Sequence, residues 1–324
     1  MARLAVWLSG LMPFELAAKI LIELGQIAIS SSTVWRLTDK WTAKMQAVNQ
    51  LEVAMAQALP CTLKEVGESV ETTKRMGAAM DGVMINIRDE GWKETKVGCV
   101  YDVEMRQDID PVTKEATEMG CAANSSYVAH LGGPAAFGQA MWAEARKRGW
   151  ATALETQVLG DAAAWIWILA GEHFFTSRQT VDFFHAAEHL AVGARLLHGE
   201  GTTAASRWLN RQRKALYQGD VVRITSAMKR AAKRKPAVAK DLTREAGYFD
   251  KNKSRMNYLE MRNEGWLIGS GPVESAAKQI KARLAGPGMK WSRQGAGHVL
   301  LLRTHIMSDR FGDAWKSAYR LPPN

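Results

Sequence analysis

The chain has 324 residues, 47% of them hydrophobic, and carries a formal net charge of +10. That length and apolar share fit a globular body with a sizeable core and exclude a disordered or fibrous chain. Three cysteines, Cys61, Cys99 and Cys121, give neither an even set nor a CxxC pair, which argues against a disulfide framework and a thiolate zinc site and for a reducing, cytoplasmic setting.

The opening MARLAVWLSGLM has one Arg and no small-residue cleavage site before Pro13 and Glu15, so it reads as part of the folded body. Residues 14–45 read as a helix, a tight turn at Gly25 and a second helix capped by Ser31 or Ser32, the outline of a helix-turn-helix. Its second helix would offer Ser32, Thr33, Arg36 and Lys40 to a DNA groove, while Val34, Trp35 and Leu37 partly pack. Two core helices that never touch DNA would give the same pattern.

After a mixed helical stretch the texture turns strand-like. GAAMDGVMINIRD (77–89) is a strand broken at Asp81-Gly82, ETKVGCVYDVEM (94–105) a second and SSYVAHLGG (125–133) a third. GPAAFGQAMWAEARKRG (133–149) has helical periodicity, ATALETQVLGD (151–161) is a fourth strand, AAAWIWILAGEHF a helix, and RQTVDFFHA a fifth strand running into a helix. This order predicts an α/β fold, a mixed sheet flanked by helices. The most apolar run, residues 158–171, is too short for the roughly 20 residues of a membrane span, so no membrane partner is expected.

Residues 195–260 read as wholly helical apart from a break at Pro236. Between Arg207 and Arg244, twelve Lys or Arg stand against Asp220 and Asp241, an excess equal to that of the whole chain. Such a patch attracts polyanions through counterion release, although a solvated helical surface has the same composition. The expected organisation is therefore a helical region over 1–70, a core in two parts over 71–194 and 261–324, and a basic helical insertion over 195–260 between them.

Three acids stand out. Asp81 lies within an apolar strand, where a carboxylate needs a partner or a cation. Asp161 ends another strand, and Glu274 opens a helix far downstream. Singly, Asp161 suits a helix N-cap and Asp81-Gly82 a turn or bulge; together the three suggest oxygen ligands for hard divalent cations. Around Glu274, GSGPVESAAKQIKARL places Val273, Ala276, Ala277, Ile280 and Leu284 on one buried stripe, with Glu274, Lys278 and Lys281 beside it. A dipole-complementing Glu paired with Lys278 is the structural explanation. It leaves unexplained the glycines at 269 and 271 and the Lys290-Trp291-Ser292 that follows a second glycine turn. DFFHAAEHL holds His185, Glu188 and His189 in an H-x-x-E-H pattern, a short match to the inverted zinc-peptidase motif. Alternatively, Asp182 and His185 support the edge of the acidic site.

Asp81-Gly82, WKETKVGCVY, VLGDAAAWIW, VDFFHAAEHL and GSGPVESAAKQIKARL with GMKWS, in this order over residues 77–303, resemble DDE transposases of ribonuclease H-like fold, those of ISKra-type bacterial insertion sequences. The resemblance implies a ribonuclease H-like sheet and a catalytic, metal-binding triad of Asp81, Asp161 and Glu274 using two Mg²⁺ or Mn²⁺ ions. It also implies DNA contacts from Lys278, Lys281, Lys290 and Trp291, and a homodimer or higher oligomer on DNA in a bacterial cytoplasm, associated with the nucleoid. Where the family commonly has Gly after the second Asp, this chain has Ala162. The rival readings are a DNA-binding protein with an inactive nuclease-like core and the zinc peptidase.

Overall fold

The computed structural model describes residues 1–57, 74–110 and 112–321. Cys61 and the boundary expected between residues 70 and 71 lie outside the described residues. The chain begins with three helices, α1 (Ala2–Leu11), α2 (Phe14–Glu23) and α3 (Ser31–Gln57). Five strands follow, β1 (Arg75–Ile87), β2 (Gly91–Ile109), β3 (Ala116–Leu131), β4 (Glu155–Gly160) and β5 (Arg178–Val181), with α4 (Pro134–Lys147) and α5 (Ala164–His173) between the last three. The sheet order is β3-β2-β1-β4-β5, and β2 runs against the other four. The α/β expectation is met: a mixed sheet with helices on both faces.

Alternation along the strands decides the two faces. Met76, Ala78, Met80 and Val100 pack under Phe137, Met141 and Trp142 of α4 and Ile166 and Leu169 of α5. Ala79, Val83, Ile85, Val97 and Leu159 point the other way, onto α11 (Gly271–Leu284) and α12 (Arg293–Met307). All five stripe residues of α11 are buried, as its periodicity predicts.

Several boundaries differ from expectation for physical reasons. Asp81-Gly82 does not break β1, because Asp81 Oδ1 accepts from the Gly82 amide (2.7 Å) while both residues keep their places opposite Val97 and Lys96. β2 and β3 extend as a hairpin arm past the last β1 partner, Asp102, and apart from Val103, Met119 and Gly120 that half of the ladder is largely exposed and leaves no strong hydrophobic alternation in the sequence. The cap of α3 is one residue earlier than read: Ser30 Oγ accepts from the Thr33 amide (3.2 Å).

The N-terminal helices share a cluster of their own, with Ala5, Leu8, Ala17, Leu21 and Val34, and are also tied to the C-terminal helices. α3 runs 27 residues and packs on α12 and on α13 (Phe311–Arg320), where Val6, Met45, Leu302, Phe311 and Ala318 share one cluster. Asp39 accepts or shares a proton with His298 Nδ1 at 2.8 Å, joining α3 to α12. The basic region likewise forms a cluster from α6 (Phe183–His198), α7 (Thr203–Tyr217), α8 (Val221–Arg234), α9 (Ala239–Asn252) and α10 (Tyr258–Asn263), with a 3₁₀ turn beginning at Pro236. The tip of the β2–β3 arm docks on it through buried Asp110, which pairs with Arg262 Nε at 3.1 Å and accepts from the Val112 and Thr113 amides.

Candidate active site

The sheet register gathers acids that are far apart in sequence. Met80 of β1 pairs with Gly160 of β4, and Gly160 pairs with Val181 of β5. The next residues, Asp81, Asp161 and Asp182, therefore stand at one level across three neighbouring strands, the last two just past the C-terminal ends of parallel strands. Open α/β sheets place their ligand sites in this region.

Backbone ties then bring the third element to the row. The Asp182 amide donates to Gly160 O (2.8 Å) and the Phe183 amide to Ile268 O (2.8 Å), linking β4, the start of α6 and the approach to α11. Asp182 is 1% exposed; its Oδ1 accepts from the His185 amide at 2.7 Å, capping α6, and its Oδ2 accepts from the Ser270 amide at the start of α11. One carboxylate thus ends two helices' unsatisfied donors at once and fixes where Glu274, one turn further on, emerges. The approach is close enough to require glycine at 269, where a Cβ would lie 2.7 Å from the Phe184 ring. Gly271 meets no such neighbour.

Asp81, Asp161 and Glu274 are electrostatic neighbours. The Asp81 carboxyl is held above its usual range by burial and by the charges of Asp161 and Glu274, against opposing pulls from the Gly82 amide and Lys281. Each acid also engages a local donor: Asp81 the Gly82 amide, Asp161 the Ala163 amide at 2.9 Å, and Glu274 the Ser270 hydroxyl at 3.2 Å, with Lys278 Nζ 3.7 Å away. Among the described residues no three His, Cys, Asp or Glu side chains are gathered at metal-ligand spacing. Ala162, after the second Asp, adopts φ +77°, the left-handed conformation that glycine takes without strain.

The remaining site residues divide. Lys278, Lys281 and Lys290 are exposed, and Lys281 is near enough to Asp81 to act on its proton affinity. Trp291 instead is engaged in packing: its Nε1 donates to Leu284 O (2.8 Å), its ring meets Phe14 edge-on, the Arg283 guanidinium lies 5.1 Å from it, and its backbone bridges the end of β1. On α3, Ser32, Arg36 and Lys40 are exposed along one side, whereas Thr33 is half-buried and receives a bond from Arg36 (3.2 Å). His189 Nδ1 is bonded to Glu245 Oε2 at 2.6 Å and the ring stacks on Tyr248 at 3.7 Å, while His185 faces Glu188 at 3.5 Å. The H-x-x-E-H residues therefore have packing and hydrogen-bonding roles between α6 and α9.

Sequence reading singled out neither of two further polar side chains, Lys96 on the sheet face opposite Asp81 and Tyr248 on α9. Lys96, opposite Gly82, is buried at 5% exposure, pairs with Glu94 and lies 4.6 Å over the Trp165 ring of α5. Its only signal was a Lys in a strand otherwise pointing inward. Tyr248 gave no signal, since its neighbours come from another helix. Compared with known protein families and with curated proteins, the chain matches none.

Proposed function

We propose that the chain is a DNA transposase of an insertion sequence, cleaving and joining DNA strands by divalent-ion-assisted phosphoryl transfer on a ribonuclease H-like core. The observation that carries this reading is the strand register that sets Asp81 level with Asp161, with the charges of Asp161 and Glu274 both acting on Asp81, although the three acids are 80 and 113 residues apart in sequence. Three antiparallel strands followed by two parallel ones, with the first acid on the central strand and the second at the end of its neighbour, support the same core.

The donor set fits hard divalent cations: three carboxylates and no soft ligand, with the Asp81 carboxyl raised by burial and by the charges of its two acid neighbours. Bound Mg²⁺ or Mn²⁺ would supply Lewis acidity and charge neutralisation at a phosphate. Asp81, Asp161 and Glu274 would hold the ions, the Asp182 latch would fix the α11 acid against the strand acids, and exposed Lys278, Lys281 and Lys290 would hold DNA phosphates. Among the described residues, Arg207, Arg211, Arg213, Lys214, Arg230, Lys233, Arg234 and Lys240 of the insertion have no acidic partner, which supports a polyanion-binding face. Ser32, Arg36 and Lys40 form a smaller candidate face on α3, where the helix-turn-helix reading places DNA.

The local hydrogen bonds of all three acids favour one alternative, a DNA-binding protein whose nuclease-like core is unused. A supercoiled plasmid carrying the DNA that flanks this gene separates the two. Nicking or joining that needs Mg²⁺ or Mn²⁺ and is lost in Asp161→Ala and Glu274→Gln is the expected result. Activity surviving in both variants would refute the triad; salt-sensitive binding in EDTA without any cleavage would establish the alternative.

A further inference from the structure

α3, β3, α4, α12 and α13 line a cavity of about 410 Å³ that shares no residue with the row of acids. Its size lies toward the lower end of small-molecule sites, roughly 300 to 1,000 Å³. Met45 and Val48 of α3, Val128 of β3, Ala140 of α4 and Leu301 of α12 give it apolar walls. α3 and α12 run side by side in the same sense, from the 2.8 Å contact of Asp39 with His298 to the cluster that Met45 and Leu302 share. Asn49 and His305 lie further along that seam, and both line the cavity.

The charged side chains of the lining cancel one another. Glu52 and Lys147 pair at 3.1 Å, Arg310 donates to both oxygens of Glu144 at 2.6 and 2.8 Å, and Asp313 faces Lys316 at 3.4 Å. A charged ligand would have to break one of these pairs. The neutral polar groups are in the opposite condition: among the described residues, the half-buried Asn49, His130 and His305 have no hydrogen-bond partner. Burial pushes both imidazoles down, His305 to about 4, so at neutral pH each offers one donor and one acceptor nitrogen. With Tyr127, three flat rings stand in the lining.

Balanced charge, unmade hydrogen bonds and flat rings among aliphatic walls suit a planar, uncharged ligand with donors and acceptors on its rim. Asn49 narrows the class. Its amide holds a donor and an acceptor in one plane, the pattern that pairs with N6 and N7 of adenine. We propose that this cavity is a binding site for an adenine base, with its edge on the Asn49 amide and the ring nitrogens of His305 and its faces against the apolar walls. Free adenosine and an adenine left unpaired in DNA present the same edge. Occupancy is independent of whether Asp81, Asp161 and Glu274 hold an ion.

Equilibrium dialysis of radiolabelled adenosine against the full chain tests the site. Saturable binding is expected, with uridine, whose base lacks that edge, bound roughly 5- to 150-fold more weakly. Asn49→Leu should weaken adenosine by a similar factor, and Ala143→Phe, which puts a ring into the cavity, should abolish binding, with urea midpoints showing that both variants fold. No saturable binding by the wild type, equal binding of adenosine and uridine, wild-type affinity in Asn49→Leu, or full binding by a folded Ala143→Phe would each overturn the proposal. If Ala143→Phe does not fold, Asn49→Leu decides alone. Competition separates the two sources, and either result upholds the site. Displacement of adenosine by a duplex with one unpaired adenine, but not by the fully paired duplex, assigns it to DNA; displacement by neither assigns it to the free nucleoside.

Discussion

Replacing Asp182 tests how the centre is assembled, independently of any activity. Its two oxygens accept from the His185 amide and the Ser270 amide, and the residue is 1% exposed. Alanine removes a helix cap worth about 1 kcal/mol. It also removes a charged acceptor bond worth about 1.5 to 3 kcal/mol and leaves the Ser270 amide buried without a partner. The expected cost is therefore about 2.5 to 4 kcal/mol. Asparagine keeps the shape and one acceptor but turns an NH₂ toward one of the two amides, so about 1.5 to 3 kcal/mol is expected. Asp161→Asn is the control, because Asp161 is half-buried and holds a single local bond to Ala163; about 0.5 to 1 kcal/mol is expected there. Urea unfolding followed by tryptophan fluorescence gives all three values, and amide hydrogen exchange at Ser270 should accelerate in the Asp182 variants. A cost below about 0.5 kcal/mol for Asp182→Ala, or a larger cost for Asp161→Asn, would refute the latch.

Two further outcomes follow from residues outside that latch. His305, in the wall of a cavity of about 410 Å³ between α3, β3, α4, α12 and α13, is pushed down to about 4 by burial. The unfolded chain, with an ordinary histidine, takes up the proton first as pH falls. Stability is therefore full above pH ~6.5 and declines by about 3 kcal/mol as pH falls from there to ~4. His305→Gln should lose that part of the decline, and parallel pH profiles for the two proteins would count against it. Ala162→Gly should raise stability by about 0.5 to 1 kcal/mol by relieving the φ of +77°; an unchanged or lower urea midpoint would mean that the left-handed conformation carries no strain there.

The parts of this fold legible in the sequence are those where one periodicity serves one buried face. α11 could be placed from its five apolar stripe residues, and β1 from its Val and Ile, because each meets a single packing partner. The β2–β3 arm was half legible: beyond Asp102 its residues pair only with each other and carry polar side chains on both sides. Its docking acid, Asp110, had a readable signal in Asp-Pro-Val-Thr, since an Asp that accepts from amides two and three residues on marks a turn. The acids at 81, 161 and 274 could be picked out singly, but that the first two share a level comes from the strand register. Asp182 could be read as a support at the edge of the acidic site, but not that its two oxygens tie the starts of α6 and α11, because neither of its amide donors is an unusual residue. Tyr248 and His189 become partners only when α9 folds back onto α6, a contact that no local pattern encodes.

The bond from the Phe183 amide to Ile268 O joins two points 85 residues apart in the chain. Everything between them, α6 to α10 and their connections, leaves the sheet and returns to it there, and meets it elsewhere through Arg255 on Gln179, Glu264 on Arg178 and Arg262 on Asp110. Helices α7 to α9 can be lengthened, shortened or exchanged without touching the strand register, the Asp182 bonds to the His185 and Ser270 amides, or the Phe183–Ile268 bond that set the places of Asp81, Asp161 and Glu274. The insertion is thus the part of the chain most open to exchange, and a version trimmed of α7 to α9 would keep its row of acids while giving up its unpaired cations.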